Sequence, residues 1–312
     1  MSKEVKNLAA SVLDRLRNKA REIGRPFDWM LQYYANERFL YRISQSEHCR
    51  EFVLKGGLIF NSWNVPLRRH TKDIDFRALT SSDFESVAQI IKDICRQSVE
   101  ADAIEYLPET IEIASILEET ENPGVRIRLW ARIGETTKVR MQIDMGFSDE
   151  ITPPANIITY PTILDMPAPK LFGYPKETVV AEKLHAIIYR GSMTSRLKDF
   201  YDLWFISQRF DFEGALLLQA IINTFENRAT PVPKELPVVF ADSYVESNGQ
   251  QWKAFLNTFN PGENESKDFP DVLSRLREFL MPVVNAKREQ FDLYWGAGGN
   301  WSKKDSEETT GL

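Results

Sequence analysis

The residues with the clearest chemical potential are Lys55-Gly56-Gly57 and, after fifteen intervening residues, Asp73-Ile74-Asp75-Phe76. If residues 72–79 form a strand, Ile74, Phe76 and Ala78 face a core. Asp73, Asp75 and Arg77 then project together from the other face. Two carboxylates so placed can share a hard divalent cation, Mg²⁺ or Mn²⁺, which prefers oxygen ligands and keeps a substrate phosphate in its shell. A Gly-Gly turn lets backbone amides approach a triphosphate without obstruction by side chains. Asp-x-Asp alone is unspecific in a chain with 45 acidic residues and is equally a solvated strand face. The glycine pair upstream shifts the balance toward phosphate chemistry.

A third carboxylate, Asp144, sits between Ile143 and Met145 on the polar face of a second expected strand. It would complete a three-carboxylate cluster, which like-charge repulsion makes tolerable only with a cation present. The competing reading is an ion pair with Arg126 or Arg128 across a hairpin. Lys183 lies beside an apolar helical stripe, from which an ammonium can neutralise phosphate charge or simply lie along the core surface. Asp199 and Asp202, at i and i+3 of the next helix, could orient Lys183, Arg190 or an acceptor hydroxyl. Asp199 is the choice for chemistry and Asp202 for structure, while His185 reads as a packing residue.

The elements that must position these groups follow from hydrophobic period. Val125–Ile133 and Val139–Phe147 alternate around the turn Gly134–Lys138 and predict a β-hairpin. Val125, Ile127, Leu129, Val139, Met141, Ile143 and Met145 form its apolar face. Arg126, Arg128, Arg132, Arg140, Gln142 and Asp144 form the opposite one, a surface that could receive an RNA backbone or be internally ion-paired. Residues 111–116 read as a further strand and 81–96 as a helix. Helical spacing marks residues 8–23 and 28–44, and Gly24-Arg25-Pro26 separates these two helices. From Glu177 onward nearly everything reads as helix: 177–190, 196–208, 212–227, 247–259 and 270–294. The predicted plan is α+β, with a small mixed sheet in an N-terminal half (1–165) and a helical half (166–312) that completes the site.

Composition excludes other classes. The 312 residues carry 39 Lys and Arg against 45 Asp and Glu, a net charge of −6, with 43% hydrophobic residues, enough for a substantial core. No stretch approaches the ~20 apolar residues needed to span a bilayer, and no signal-peptide core is present, so a cytoplasmic protein is expected. Cys49 and Cys95 are expected to be buried thiols and not a redox pair, and His48, His70 and His185 lack zinc spacing.

Gly56-Gly57, Asp73-x-Asp75 and Asp144 resemble the nucleotidyltransferase signature of the DNA polymerase β-like superfamily. Leu54-Lys55-Gly56-Gly57, Arg69-x-x-Lys72-Asp73-Ile74-Asp75-Phe76, Ala181-Glu182-Lys183-Leu184-His185-Ala186 with Arg190, and Arg196-Leu197-Lys198-Asp199-Phe200-Tyr201-Asp202-Leu203 together resemble the AbiEii/AbiGii toxin family. These are the toxin halves of type IV toxin–antitoxin and phage abortive-infection systems. Two departures stand out: Gly57 occupies the superfamily's usual serine, and the loop before Asp73, carrying Arg68, Arg69 and His70, is longer than its commonest form. The resemblance implies transfer of a nucleotide from an NTP, with the tRNA 3′ end as acceptor in some members, and a winged-helix, AbiEi-like antitoxin as partner. It implies Asp73, Asp75 and Asp144 as metal ligands, with Lys183 and Asp199 beside them in catalysis. Lys55, Gly56, Gly57, Arg69, Lys183, Arg190 and Lys198 would bind the nucleotide. A protein acceptor such as the antitoxin, or a catalytically silent nucleotide-binding protein, are the alternatives.

Overall fold

The structure is a computed structural model that describes residues 2–63, 71–116, 124–191, 196–259, 268–286 and 291–303. The chain divides into two compact units, Met1–Asp149 with Ala155–Tyr174, and Glu150–Pro154 with Pro175–Leu312. The architecture is the expected mixed α/β first part followed by a mainly helical second part.

In the first unit, helices α1 (Ser2–Glu22) and α2 (Phe27–Gln45) precede strands β1 (Phe52–Lys55) and β2 (Asp73–Ala78) and helix α3 (Phe84–Arg96). Helix α3 begins three residues later than its apolar pattern suggests, because Asp83 caps it by accepting a 2.9 Å hydrogen bond from the Ser86 amide. Strands β3 (Ile104–Ile116), β4 (Gly124–Ile133) and β5 (Thr137–Gly146) follow, then β6 (Asn156–Thr159) and β7 (Lys170–Gly173). They form one seven-stranded sheet in the order β3-β4-β5-β2-β1-β7-β6. The sheet is mixed, since β2 runs parallel to β5 and β1 parallel to β7. Strand β3 is longer than expected, and β1, β6 and β7 carry no sequence signal, being four residues each.

The hairpin β4–β5 forms as its alternation requires. Val125, Ile127, Leu129, Val139, Met141, Ile143 and Met145 are all buried, as are Ile74, Phe76 and Ala78 of β2. Each such side chain taken from water stabilises the fold by about 1.5–3 kcal/mol. The same alternation leaves the charged residues of β2, β4 and β5 together on the opposite face.

Helix α2 is more deeply buried than its amphipathic pattern suggests, and it takes charges inside with it: Glu37, Arg38 and Arg42 are all buried. Arg42 forks onto Asp102 at 2.7 and 3.0 Å. Arg38 donates to the Pro167 carbonyl at 3.1 and 3.0 Å, and Glu37 accepts from the Ile163 amide at 2.7 Å. Burial pushes the Glu37 carboxyl up to about 8, outweighing that amide and the Arg38 charge. Cutting Arg42 back to Ala leaves the buried Asp102 carboxylate without its two-pronged partner and dependent on the more distant Arg38 guanidinium at 3.6 Å, and is expected to cost about 3 kcal/mol of stability. A melt of Arg42→Ala within about 1 kcal/mol of the parent would contradict that assignment.

The second unit contains α4 (Lys176–Arg190), α5 (Leu197–Arg209), α6 (Gly214–Asn227), α7 (Asp242–Phe259) and α8 (Phe269–Val284). Nearly everything after Glu177 is helical, as expected, with three short strands added. Strands β8 (Phe212–Glu213), β9 (Tyr294–Trp295) and β10 (Trp301–Ser302) form a small antiparallel sheet. The last helix ends at Val284 and not near Tyr294, because Trp295 is buried in that sheet against Phe279 and Trp301. No helix of the described residues is long and apolar enough to cross a membrane.

Candidate active site

Strand register places Lys55 opposite Asp75, Asp75 opposite Asp144, and Asp144 opposite Arg126. These four residues form one row across β1, β2, β5 and β4, with charges in the order plus, minus, minus, plus. Asp73 starts the next row, opposite Gln142, which in turn lies opposite Arg128. Adjacent strands are about 4.8 Å apart, so Asp75 and Asp144 are near enough to repel, and the flanking cations offset them.

The end cations are engaged differently. Arg126 donates from Nε to Asp144 Oδ1 at 2.8 Å and from Nη2 to Oδ2 at 2.6 Å, a two-pronged pair that the hairpin register imposes. Its hydrogen bonds to Asp144, reinforced by the charges of Asp144, Asp73 and Asp75, hold the guanidinium above its ordinary range. Gln142 adds a 3.3 Å bond to Asp144 Oδ2. Lys55 forms a close ion pair with Asp149, whose backbone carbonyl accepts from Arg77 Nε at 3.3 Å. Asp149 is a residue that sequence reasoning missed: it lies past the end of β5, where no periodic signal marks it.

Gly56 determines where the Asp75 carboxylate can be. It has φ +66°, and a Cβ built there would meet Asp75 Oδ2 at 1.9 Å and Cγ at 2.5 Å. The carboxylate thus occupies the space that any side chain at position 56 would fill. Gly57 completes the turn before residues 58–63 coil into a 3-10 helix.

The donor set suits a hard divalent cation. Asp73 and Asp75 present oxygen ligands from one face of β2, beside a glycine cradle that keeps Asp75 accessible. Among the described residues no three His, Cys, Asp or Glu side chains converge as a ready cage. Asp144 is in register but held by Arg126, so both readings made for it, metal ligand and hairpin ion pair, meet at one side chain.

The second unit carries its own constellation. Lys183 of α4 donates to Asp199 Oδ1 at 2.7 Å and to Asp202 Oδ2 at 2.8 Å, both on α5. Burial pushes the Asp199 carboxyl up, but the Lys183 ammonium more than offsets this and holds it below the usual carboxylate range. The two aspartates, i and i+3, share one lysine. Lys198 is exposed and adds its charge near Asp199, and Arg190 is exposed in the last turn of α4. His185 is buried, 3.0 Å from Thr230 Oγ1 and accepting from Arg228 at 3.3 Å. Burial and the Arg228 charge lower it to about 4, so it is neutral and structural, as expected. Arg69, with Arg68 and His70, lies outside the described residues.

The arginines of the β4–β5 face are internally paired. Arg132 reaches Glu105 and Arg140 lies 3.5 Å from Glu112, both acids from β3, while Arg128 donates to Gln142 at 3.3 Å. Cys49 and Cys95 are both free thiols, and burial pushes the Cys95 thiol up to about 12.

Residues 38–275 match the family model described as nucleotidyl transferase AbiEii toxin of type IV toxin–antitoxin systems. The chain belongs to the AbiEii family. A solved structure from H. pylori, provisionally assigned as a nucleotidyltransferase, resembles it at 12% identity and TM-score 0.44, covering 81% of this chain and 92% of that one. A likeness this loose carries no inference. No curated protein matches the chain significantly. As an AbiEii member it is a nucleotidyltransferase toxin, and membership in a two-part system implies an antitoxin partner. The matched region includes Gly56, Asp73, Asp75, Asp144, Lys183 and Asp199.

Proposed function

We propose that this AbiEii toxin transfers a nucleoside monophosphate from an NTP to an RNA hydroxyl, the tRNA 3′ end being the acceptor class, in a divalent-cation-dependent reaction that blocks translation. The observation that supports this most is the row Lys55–Asp75–Asp144–Arg126 with Asp73 beside it and the Gly56 cradle at its edge. Asp73 and Asp75, joined by Asp144, would hold Mg²⁺ or Mn²⁺, which would neutralise triphosphate charge. In the transfer, the acceptor oxygen bonds to the α-phosphorus as the bond to the bridging oxygen of pyrophosphate breaks. Asp144 is suited to draw the proton from the attacking hydroxyl. Lys55, Arg69 and the Gly56-Gly57 backbone bind the nucleotide. Lys183, held by Asp199 and Asp202, offers an ammonium suited to phosphate, and Arg190 and Lys198 add positive charge to the same unit. Such transfers are accelerated chiefly by positioning and electrostatics.

A second acceptor, a protein such as the winged-helix antitoxin, is favoured by one observation: the β4–β5 arginines are already ion-paired, which leaves less free charge there for an RNA backbone. One experiment separates the two. The protein is incubated with Mg²⁺, each α-labelled NTP in turn, and either total tRNA or cell lysate, and the labelled macromolecule is identified on a denaturing gel. Label in the tRNA band, lost with EDTA, supports the RNA reading. Label only in protein transfers the assignment to the second, and no label with any NTP rejects both.

A further inference from the structure

Two arginine–aspartate pairs in the first unit are both two-pronged, and their surroundings are opposite. Arg42–Asp102 is enclosed, with both side chains 7% exposed, and opening it would strand a charge in the interior. Arg126–Asp144 has side chains 34% and 17% exposed and lies on the open face of the sheet. A pair at such an open face contributes little, so a competing ligand readily displaces it. Among the described residues the hydrogen bonds of Arg126 go to Asp144 alone, so there its ties are to the acidic cluster itself.

We infer that Arg126 is a resident counter-ion of the catalytic cluster, which neutralises Asp144 in the resting protein and must release it before Asp144 can serve a divalent cation. Arg126 is thus a positioning residue that sets the protein's cation affinity. The inference rests on the reading of Asp73, Asp75 and Asp144 as the metal-binding carboxylates, and adds that one of the three is withheld. It accounts for the absence of a ready three-carboxylate cage among the described residues although register brings Asp75 and Asp144 side by side. In the resting row the charges cancel. Without Arg126 the Asp75 and Asp144 carboxylates lie side by side with one compensating charge fewer, and Lys55 is drawn to Asp149. A bound cation then relieves the repulsion.

The test is Mn²⁺ binding to the full-length protein at low ionic strength, with free Mn²⁺ followed by electron paramagnetic resonance and no nucleotide present. Arg126→Gln should bind Mn²⁺ about three- to tenfold more tightly than the parent, the affinity equivalent of one half-exposed ion pair. Arg126→Lys keeps the charge without the fork, and should fall between the two. In an Asp144→Asn background the effect of Arg126→Gln should vanish, because nothing is left to release. Unchanged or weaker Mn²⁺ binding in Arg126→Gln overturns the inference, as does persistence of the effect without Asp144. If Arg126→Gln does not fold, Arg126→Lys and the Asp144→Asn pair carry the same comparison. If neither the parent nor any variant binds Mn²⁺, or Asp75→Asn binds it as well as the parent, the metal reading itself fails, and this inference falls with it.

Discussion

Asp75→Asn is expected to lower nucleotide transfer by about a thousandfold or more while leaving the melting temperature nearly unchanged. Asp75 is one of two carboxylates on the exposed face of β2 and the one in register with Asp144, so the amide removes a charged oxygen ligand and keeps the volume. Losing one strong electrostatic contact in such a site costs about 10²–10³ in rate, and more when a metal ligand is lost with it. Stability should move little, because Asp75 has the Asp144 carboxylate as a repelling neighbour on one side and Lys55, already paired with Asp149, on the other. The two effects are of similar size and opposite sign, each about 1 kcal/mol or less. Transfer within tenfold of the parent, in the labelled-nucleotide assay, would remove Asp75 from the site.

Gly56→Ala is expected to be almost as damaging, for a steric reason. The position has φ +66°, which a side chain tolerates only at a cost of about 1–2 kcal/mol. The added methyl would also stand 1.9 Å from Asp75 Oδ2, so the carboxylate must leave its place. Transfer should fall about a hundredfold, since misplacing a reacting group by an ångström can cost that much. Gly134→Ala separates the two causes. Gly134 has a nearly identical φ of +65° in the hairpin turn, but an added Cβ there meets only the Ala9 methyl, at 3.2 Å. Gly134→Ala should show the backbone cost in its melt and retain full transfer. Equal activity losses in both variants would mean that the glycine matters for backbone strain and not for the carboxylate.

Much of this architecture was legible because the strands of the site alternate strictly. The nine-residue alternations around Gly134–Lys138 predicted both the hairpin and the side of it on which Asp144 lies. What alternation cannot say is which neighbour a side chain chooses, and Asp144 could equally face a cation or Arg126. Only the cross-strand register, Arg126 opposite Asp144 and Asp144 opposite Asp75, shows that it is placed between the two. Strands β1, β6 and β7 are too short for period to register, and Phe52, Val53 and Leu54 are all buried, so β1 shows no polar face. Glu37, Arg38 and Arg42 carry no sign in the sequence of their buried place. Charges usually mark the wet side of a helix, and theirs are matched instead by Asp102, the Pro167 carbonyl and the Ile163 amide, partners distant in sequence. The helix read to Tyr294 ends at Val284, and Tyr294 and Trp295 belong to a two-residue strand, for which no local pattern exists.

The parallel pairing of β2 with β5 orders events in time. Asp73 and Asp75 leave the ribosome long before the strand that bears Asp144, with α3, β3 and β4 between them, and β1 waits longer still for its parallel neighbour β7. Long-range pairings of this kind close late, after the local hairpin has formed. A nascent chain therefore carries Asp75 and Asp144 as separate side chains until β5 has emerged, and the row Lys55–Asp75–Asp144–Arg126 can assemble only after residue 144 of 312 has been made.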